Sequence, residues 1–128
     1  MKRFLKRSIV GLACVVAVAG IYYAVNYNIK ADNFGVVEEG KIYRCGQLDE
    51  ESLKEITEKY KIKTILSLRG RPPQFERNFA TANNLKVFSF WMSARTAPND
   101  EDLEKCLAIL NDPENQPILV HCRGGADR

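Results

Sequence analysis

The final eight residues, His121-Cys122-Arg123-Gly124-Gly125-Ala126-Asp127-Arg128, hold the residue types and spacing from which a reaction can be built. They read H-C-x5-R. Cleaving a phosphate monoester dianion through a covalent intermediate requires a nucleophile that is ionised at neutral pH. It also requires donors for the non-bridging oxygens and a proton for the leaving oxygen. Cys122 supplies the nucleophile if its thiol pKa is lowered, because the thiolate is the reactive form. Arg123, Gly124, Gly125, Ala126, Asp127 and Arg128 can curl so that their backbone N–H groups converge on one anion. The two glycines permit the backbone angles and the close approach this needs. Arg128 closes the loop, and its planar fork can hold two phosphate oxygens at once. Such donors stabilise the charge of a transition state.

A bare C-x5-R is weak evidence. Here the chain's single His precedes that Cys, an apolar run precedes the His, and glycines fill the loop. Together these make a phosphate-gripping loop the expected reading rather than a core cysteine at a strand end. His121 is expected to orient the loop by hydrogen bonding, since along a strand it points away from its neighbour.

The rest of the domain must position that loop. The run Pro117 to Val120 (PILV) predicts a short buried strand that holds Cys122 at its C-terminal end, where α/β sheets bind ligands. Gly40 to Arg44 and Lys63 to Leu68 predict two more strands, and Leu85 to Phe90 a further one. Helices are predicted over Asp49 to Tyr60, with Asp49 as cap, and over Phe75 to Asn84. Another opens at Ala97-Pro98-Asn99-Asp100 and runs to about Asn111. Its Leu103, Cys106, Leu107 and Leu110 have core-stripe spacing. Strand–helix alternation predicts an α/β class with a central sheet flanked by helices.

Composition narrows the function classes. At 128 residues the chain holds one domain at most. Residues 1–30 carry five basic residues and no acid, leaving 14 basic and 16 acidic residues for 31–128. A slightly acidic domain argues against nucleic acid as a partner. Four Cys without a C-x-x-C, and one His, argue against a zinc site. No residue from Ser8 to Ile29 is charged. A run of this kind is long enough to span a membrane, about 20 residues, and Tyr22, Tyr23 and Tyr27 suit an interface. The expectation is a domain at 31–128 preceded by one N-terminal transmembrane helix centred on residues 8–27. The four preceding positive charges place the N-terminus in the cytoplasm and the domain on the periplasmic side. Ala17-Val18-Ala19 offers the alternative of a cleaved signal segment and a secreted domain.

HCRGGADR resembles the phosphate-binding signature of the cysteine-dependent protein tyrosine and dual-specificity phosphatases. The stretches NFGVVEEGKIYRCGQ, KIKTILSLRG and APNDEDLEKCLAILNDPENQPILVHC are similar to the small atypical dual-specificity phosphatases of plants, fungi and bacteria. The resemblance implies no metal, no cofactor and a phosphocysteine intermediate, with Cys122 as nucleophile and Arg128 as phosphate binder. It implies a phosphorylated substrate, either a phosphoprotein or a phosphoinositide or inositol pyrophosphate. Family members continue past the Arg with Ser or Thr, Gly and a helix. This chain stops at Arg128, so the expectation is a domain shortened at its C-terminal helices and nearly inactive as it stands.

Two residues compete as general acid. Many members of the family carry an Asp in the loop after the third strand, and here the first acid there is Asp100. It equally suits the first turn of the following helix. Asp127, inside the loop, is the alternative, and its other role is to hold the loop by accepting backbone hydrogen bonds. Arg69, Arg71 and Arg123 suit either an acidic-substrate pocket or solvated surface. Phe90 and Trp91 are expected in the core, as is Cys106. Cys45 is read as an unreactive thiol or as a disulfide partner for Cys122. The competing functions are a catalytically inactive, membrane-tethered phosphate-binding module and a rhodanese-like sulfur transferase.

Overall fold

The computed structural model of the chain describes residues 11–23 and 33–128. The chain divides into two units, Met1–Ala31 and Asp32–Arg128. In the first, residues 11–23 are helical and exposed. No helix among the described residues is long and apolar enough to cross a membrane. The helix expected across residues 8–27 is therefore not seen as a span, and residues 8–10 and 24–27 lie outside the described ones.

The second unit is an α/β layer structure. Its strands are β1 (Gly35–Glu38), β2 (Ile42–Cys45), β3 (Thr64–Ser67), β4 (Lys86–Ser89) and β5 (Ile118–His121), in the order β1-β2-β5-β3-β4. Only β1 runs antiparallel, forming a hairpin with β2. The remaining strands are parallel, and β5 lies between β2 and β3. Cys45 and Ser67 both pair with His121 in register, so β2, β3 and β5 end level. Cys122 leaves the sheet at that level, at the carboxyl ends of three neighbouring strands.

Helices α1 (Glu50–Tyr60), α2 (Gln74–Ala82) and α3 (Asp100–Asn111) cover the sheet. Asp49 caps α1 by accepting the N–H of Ser52 at 2.8 Å, and Glu50 and Glu51 complement the dipole of its first turn. That hydrogen bond also holds the Asp49 carboxyl below its usual pKa. Lys61, in the left-handed conformation, ends the helix. Leu53 and Ile56 of α1 and Ala80 of α2 pack with Tyr43, Ile65 and Leu119 on one face of the sheet. On the other face Cys106 of α3 packs with Leu66, Ile118 and Met92. The strand residues contribute alternately to the two faces, as the two-residue period of a strand requires.

Three expectations need correction. The single strand predicted at Gly40–Arg44 is a hairpin: Gly40, with φ +74°, lies in its turn and β1 precedes it. The α3 stripe is narrower than its spacing suggests. Cys106 is buried, but Leu103 and Leu107 are 40% and 48% exposed. They line an apolar groove with Leu68, Met92 and Val120 instead of closing onto the sheet. Trp91 is 70% exposed rather than core. It lies past the end of edge strand β4 with its ring over Gly70, while Phe90 is half-buried against the second core cluster.

Candidate active site

The segment after β5 forms a loop around one sulfur. Cys122 is buried, and the backbone N–H of Gly125 donates to its Sγ at 3.1 Å. Burial pushes the Cys122 thiol up. The N–H groups of Gly125, Gly124, Ala126 and Asp127 outweigh burial and bring it below the ordinary thiol range. Consecutive loop amides that favour one anionic atom make a nest, the backbone form of an anion site.

The loop holds this shape because its carbonyls are held on the outside. The ring Nδ1 of His121 is 3.3 Å from the Cys122 carbonyl. The N–H of Gln47 donates to the Arg123 carbonyl at 3.0 Å. Asn33 Nδ2 donates to the Gly124 carbonyl at 2.6 Å, and Arg44 Nη1 to the Gly125 carbonyl at 2.9 Å. In a planar trans peptide, C=O and the following N–H point in opposite directions. Holding successive carbonyls outward therefore turns successive amides inward. Gly125 has φ +72°, and a Cβ there would meet Gly46 N at 2.5 Å and the Cys45 carbonyl carbon at 2.6 Å. Only glycine fits this position, both for its dihedral angle and for its approach to the end of β2.

Behind the loop lies a buried carboxylate. Glu76 of α2 is 1% exposed, and its Oε1 is 2.9 Å from His121 Nε2. Its Oε2 accepts from Gln47 Nε2 at 2.7 Å, and Gln47 Oε1 accepts from Arg69 Nη1 at 3.0 Å. Burial pushes the Glu76 carboxyl up. Hydrogen bonding and attraction from His121, donation from Gln47 and the nearby Arg69 charge more than reverse this, leaving it below the usual carboxylate range. One acid thus ties α2 and the loops after β2 and β3 to the loop after β5.

The structure brings together most of the residues expected from the sequence. Cys122, Gly125, Ala126 and Arg128 line one cavity of about 400 Å³, together with Arg44 and Cys45. Asp127 and Arg128 also border the apolar groove under α3. Among the described residues no disulfide joins Cys45 to Cys122. Asp100 is the first residue of α3, after the cap Asn99, and is exposed; it borders neither cavity. Arg123 is exposed, whereas Arg69 is half-buried and engaged with Gln47. Asn33, Arg44, Gln47 and Glu76 were not anticipated. Glu76 carried one signal: it shares the apolar face of α2 with Ala80, four residues on.

Residues 28–128 match the family model described as "Tyrosine phosphatase family". The inositol diphosphatase DSP4 of Arabidopsis thaliana is 33% identical over 101 residues, covering 75% of this chain and 50% of that protein. The inositol diphosphatase SIW14 of Saccharomyces cerevisiae is 35% identical over 105 residues, covering 78% of this chain and 37% of that protein. The chain thus spans half or less of the length of these relatives. The crystal structure of the SIW14 core catalytic domain, described as a PP-IP phosphatase in complex with citrate, superposes with a TM-score of 0.65 at 37% identity. That match covers 73% of this chain and 57% of the other. TpbA of P. aeruginosa shares the fold, with a TM-score of 0.60 at 21% identity over 75% of this chain and 56% of the other.

Proposed function

Since the chain belongs to the tyrosine phosphatase family, we propose that it hydrolyses phosphate esters or anhydrides through a phosphocysteine intermediate formed on Cys122. The observation that carries this reading is the Gly125 N–H donated to the buried Cys122 sulfur at 3.1 Å, within a cavity that Arg128 also lines.

In this reading the Cys122 thiolate attacks phosphorus from below the nest, and the bond from phosphorus to the leaving oxygen breaks. The inward amides and the Arg128 guanidinium receive the charge of the three non-bridging oxygens. A carboxylic acid gives its proton to the leaving oxygen. Asp127 is the donor proposed here, because it lies within the loop that carries Cys122 whereas Asp100 lies at the start of α3 and borders neither cavity. Water then attacks the phosphocysteine and returns a proton to the carboxylate. The S–P bond breaks, releasing orthophosphate and restoring the thiolate.

The relatives support one substrate class. Two that are 33% and 35% identical to this chain over the aligned residues are inositol diphosphatases, so the proposed substrate is a densely phosphorylated small molecule of inositol pyrophosphate type. Exposed Arg123, in the loop itself, suits such a substrate better than an isolated phosphotyrosine. Placement of the domain outside the cytoplasm remains a proposal carried by the uncharged run Ser8 to Ile29 and the basic residues before it. Protease access in intact spheroplasts tests that placement.

Phosphate release from p-nitrophenyl phosphate and from a diphosphoinositol phosphate, compared between the full-length protein and its Cys122→Ser variant, tests the activity. Release that disappears in the variant is expected. Anion binding with no release by the unmutated protein points to the phosphate-binding module instead.

A further inference from the structure

The segment from Asn33 to Arg44 has no part in the chemistry proposed above, yet it makes two of the contacts that shape the loop. Asn33 Nδ2 holds the Gly124 carbonyl, and the other end of that peptide is the Gly125 N–H, 3.1 Å from the Cys122 sulfur. Arg44 Nη1 holds the Gly125 carbonyl, and the other end of that peptide is the Ala126 N–H, one of the loop amides that favour the Cys122 thiolate. Each outer donor therefore sits across a rigid peptide plane from an inner one.

The hairpin is built to present these two donors. Arg44 pairs with Gly35 across β1 and β2. A Cβ on Gly35 would lie 3.1 Å from Arg44 Nε and 3.3 Å from its Cζ, so the bare glycine leaves a path for the guanidinium across β1. Arg44 Nη1 also lies 3.3 Å from the Asn33 carbonyl, joining the two donors. Asn33 takes the left-handed conformation, φ +50°, which Asn tolerates better than most residues.

We infer that Asn33 and Arg44 are positioning residues of the reaction, an outer clamp that aims the Gly125 and Ala126 amides at the nucleophile. This rests on reading Cys122 as that nucleophile. The clamp hydrogen-bonds two loop carbonyls rather than the sulfur, and it acts by fixing two peptide planes. The other charged or titratable groups around the same cavity are Cys45 from β2, His121 from β5 and Arg128 from the loop.

The test reads the sulfur directly. The rate of Cys122 alkylation by iodoacetamide is measured against pH by peptide mass spectrometry in the protein and in Asn33→Gly, Arg44→Lys and the double variant. Gly keeps the backbone conformation without the amide, and Lys keeps the charge without the fork, so neither changes the nest by net charge. Each single variant is expected to move the alkylation midpoint upward, about threefold slower alkylation on the acid side per half unit, with the double variant moving it further. Melting temperatures are expected to stay near that of the unmutated protein. Coincident profiles overturn the clamp. Should Arg44→Lys fail to fold, Asn33→Gly alone decides. A displaced profile in a protein that releases no phosphate keeps the clamp and removes the phosphatase reading; release with coincident profiles does the reverse.

Discussion

His121 Nε2 and Glu76 Oε1 lie 2.9 Å apart in the interior, although the two residues are 45 positions apart in the chain. The pair joins the residue before the nucleophile to the second helix of the domain. Because Glu76 also accepts from Gln47, its loss strands two donors at once. Glu76→Ala is expected to destabilise the domain by about 3–5 kcal/mol, the range for breaking a buried pair from one side. Urea unfolding measures it; a change within ordinary surface scatter would show the pair to be incidental.

The same carboxylate gives a pH dependence of known sign. Its folded pKa lies below the ordinary Glu value. Its contribution is therefore fully present above the unfolded pKa, about 4.3, and is lost as pH falls through the lower folded value. Between about pH 5 and the folded pKa, the protein should lose stability on acidification more steeply than Glu76→Gln, whose amide does not titrate. Parallel acid titrations monitored by circular dichroism compare the two.

Cys122 should react as a thiolate below the ordinary thiol range. Buried Cys106 should not, since burial first and then the nearby Asp102 push its thiol up. Site-resolved alkylation near neutral pH is expected to label Cys122 ahead of Cys106. The reverse order would contradict the nest.

Gly125→Ala should weaken both fold and site. The left-handed φ alone costs about 1–2 kcal/mol for a residue with a Cβ, and the new methyl would meet backbone at Gly46 and Cys45. Displacing one donor of this kind lowers kcat by about 10²-fold or more. Retained turnover with an unchanged melting temperature would mean that the loop relaxes freely.

The two candidate acids are separated by substrate. Asp127→Asn is expected to lower kcat by about 10²-fold or more for an alkyl phosphate, whose leaving oxygen needs the proton. The loss should be smaller for an aryl phosphate and should remove the basic limb of the pH profile. Asp100→Asn is expected to leave turnover near that of the unmutated protein. The opposite pattern would move the acid to the start of α3.

Much of the site was legible because its parts are contiguous. Nucleophile, amides and Arg128 occupy one heptapeptide, and a strand of apolar residues directly before it announces how it is held. Asp49 was legible for a similar reason, since a cap acts within three residues. The outer contacts were not. Asn33 and Arg44 reach carbonyls 91 and 81 positions away, and nothing local distinguishes an Asn before a short strand from a surface residue. Glu76 stands in the first turn of a helix, where an acid ordinarily faces water. Trp91 misled in the other direction, because ring size predicts burial only where a neighbouring layer exists to receive it.

The place of β5 between β2 and β3 separates two kinds of freedom in the molecule. A strand bonded along both edges exchanges its amide hydrogens only when the sheet itself opens, so the sulfur at its end inherits the slowest motion in the domain. The exposed side chain of Arg123 is bound by no such lattice. Selectivity among phosphorylated ligands can therefore drift along that rim while the attacking atom stays where the sheet puts it.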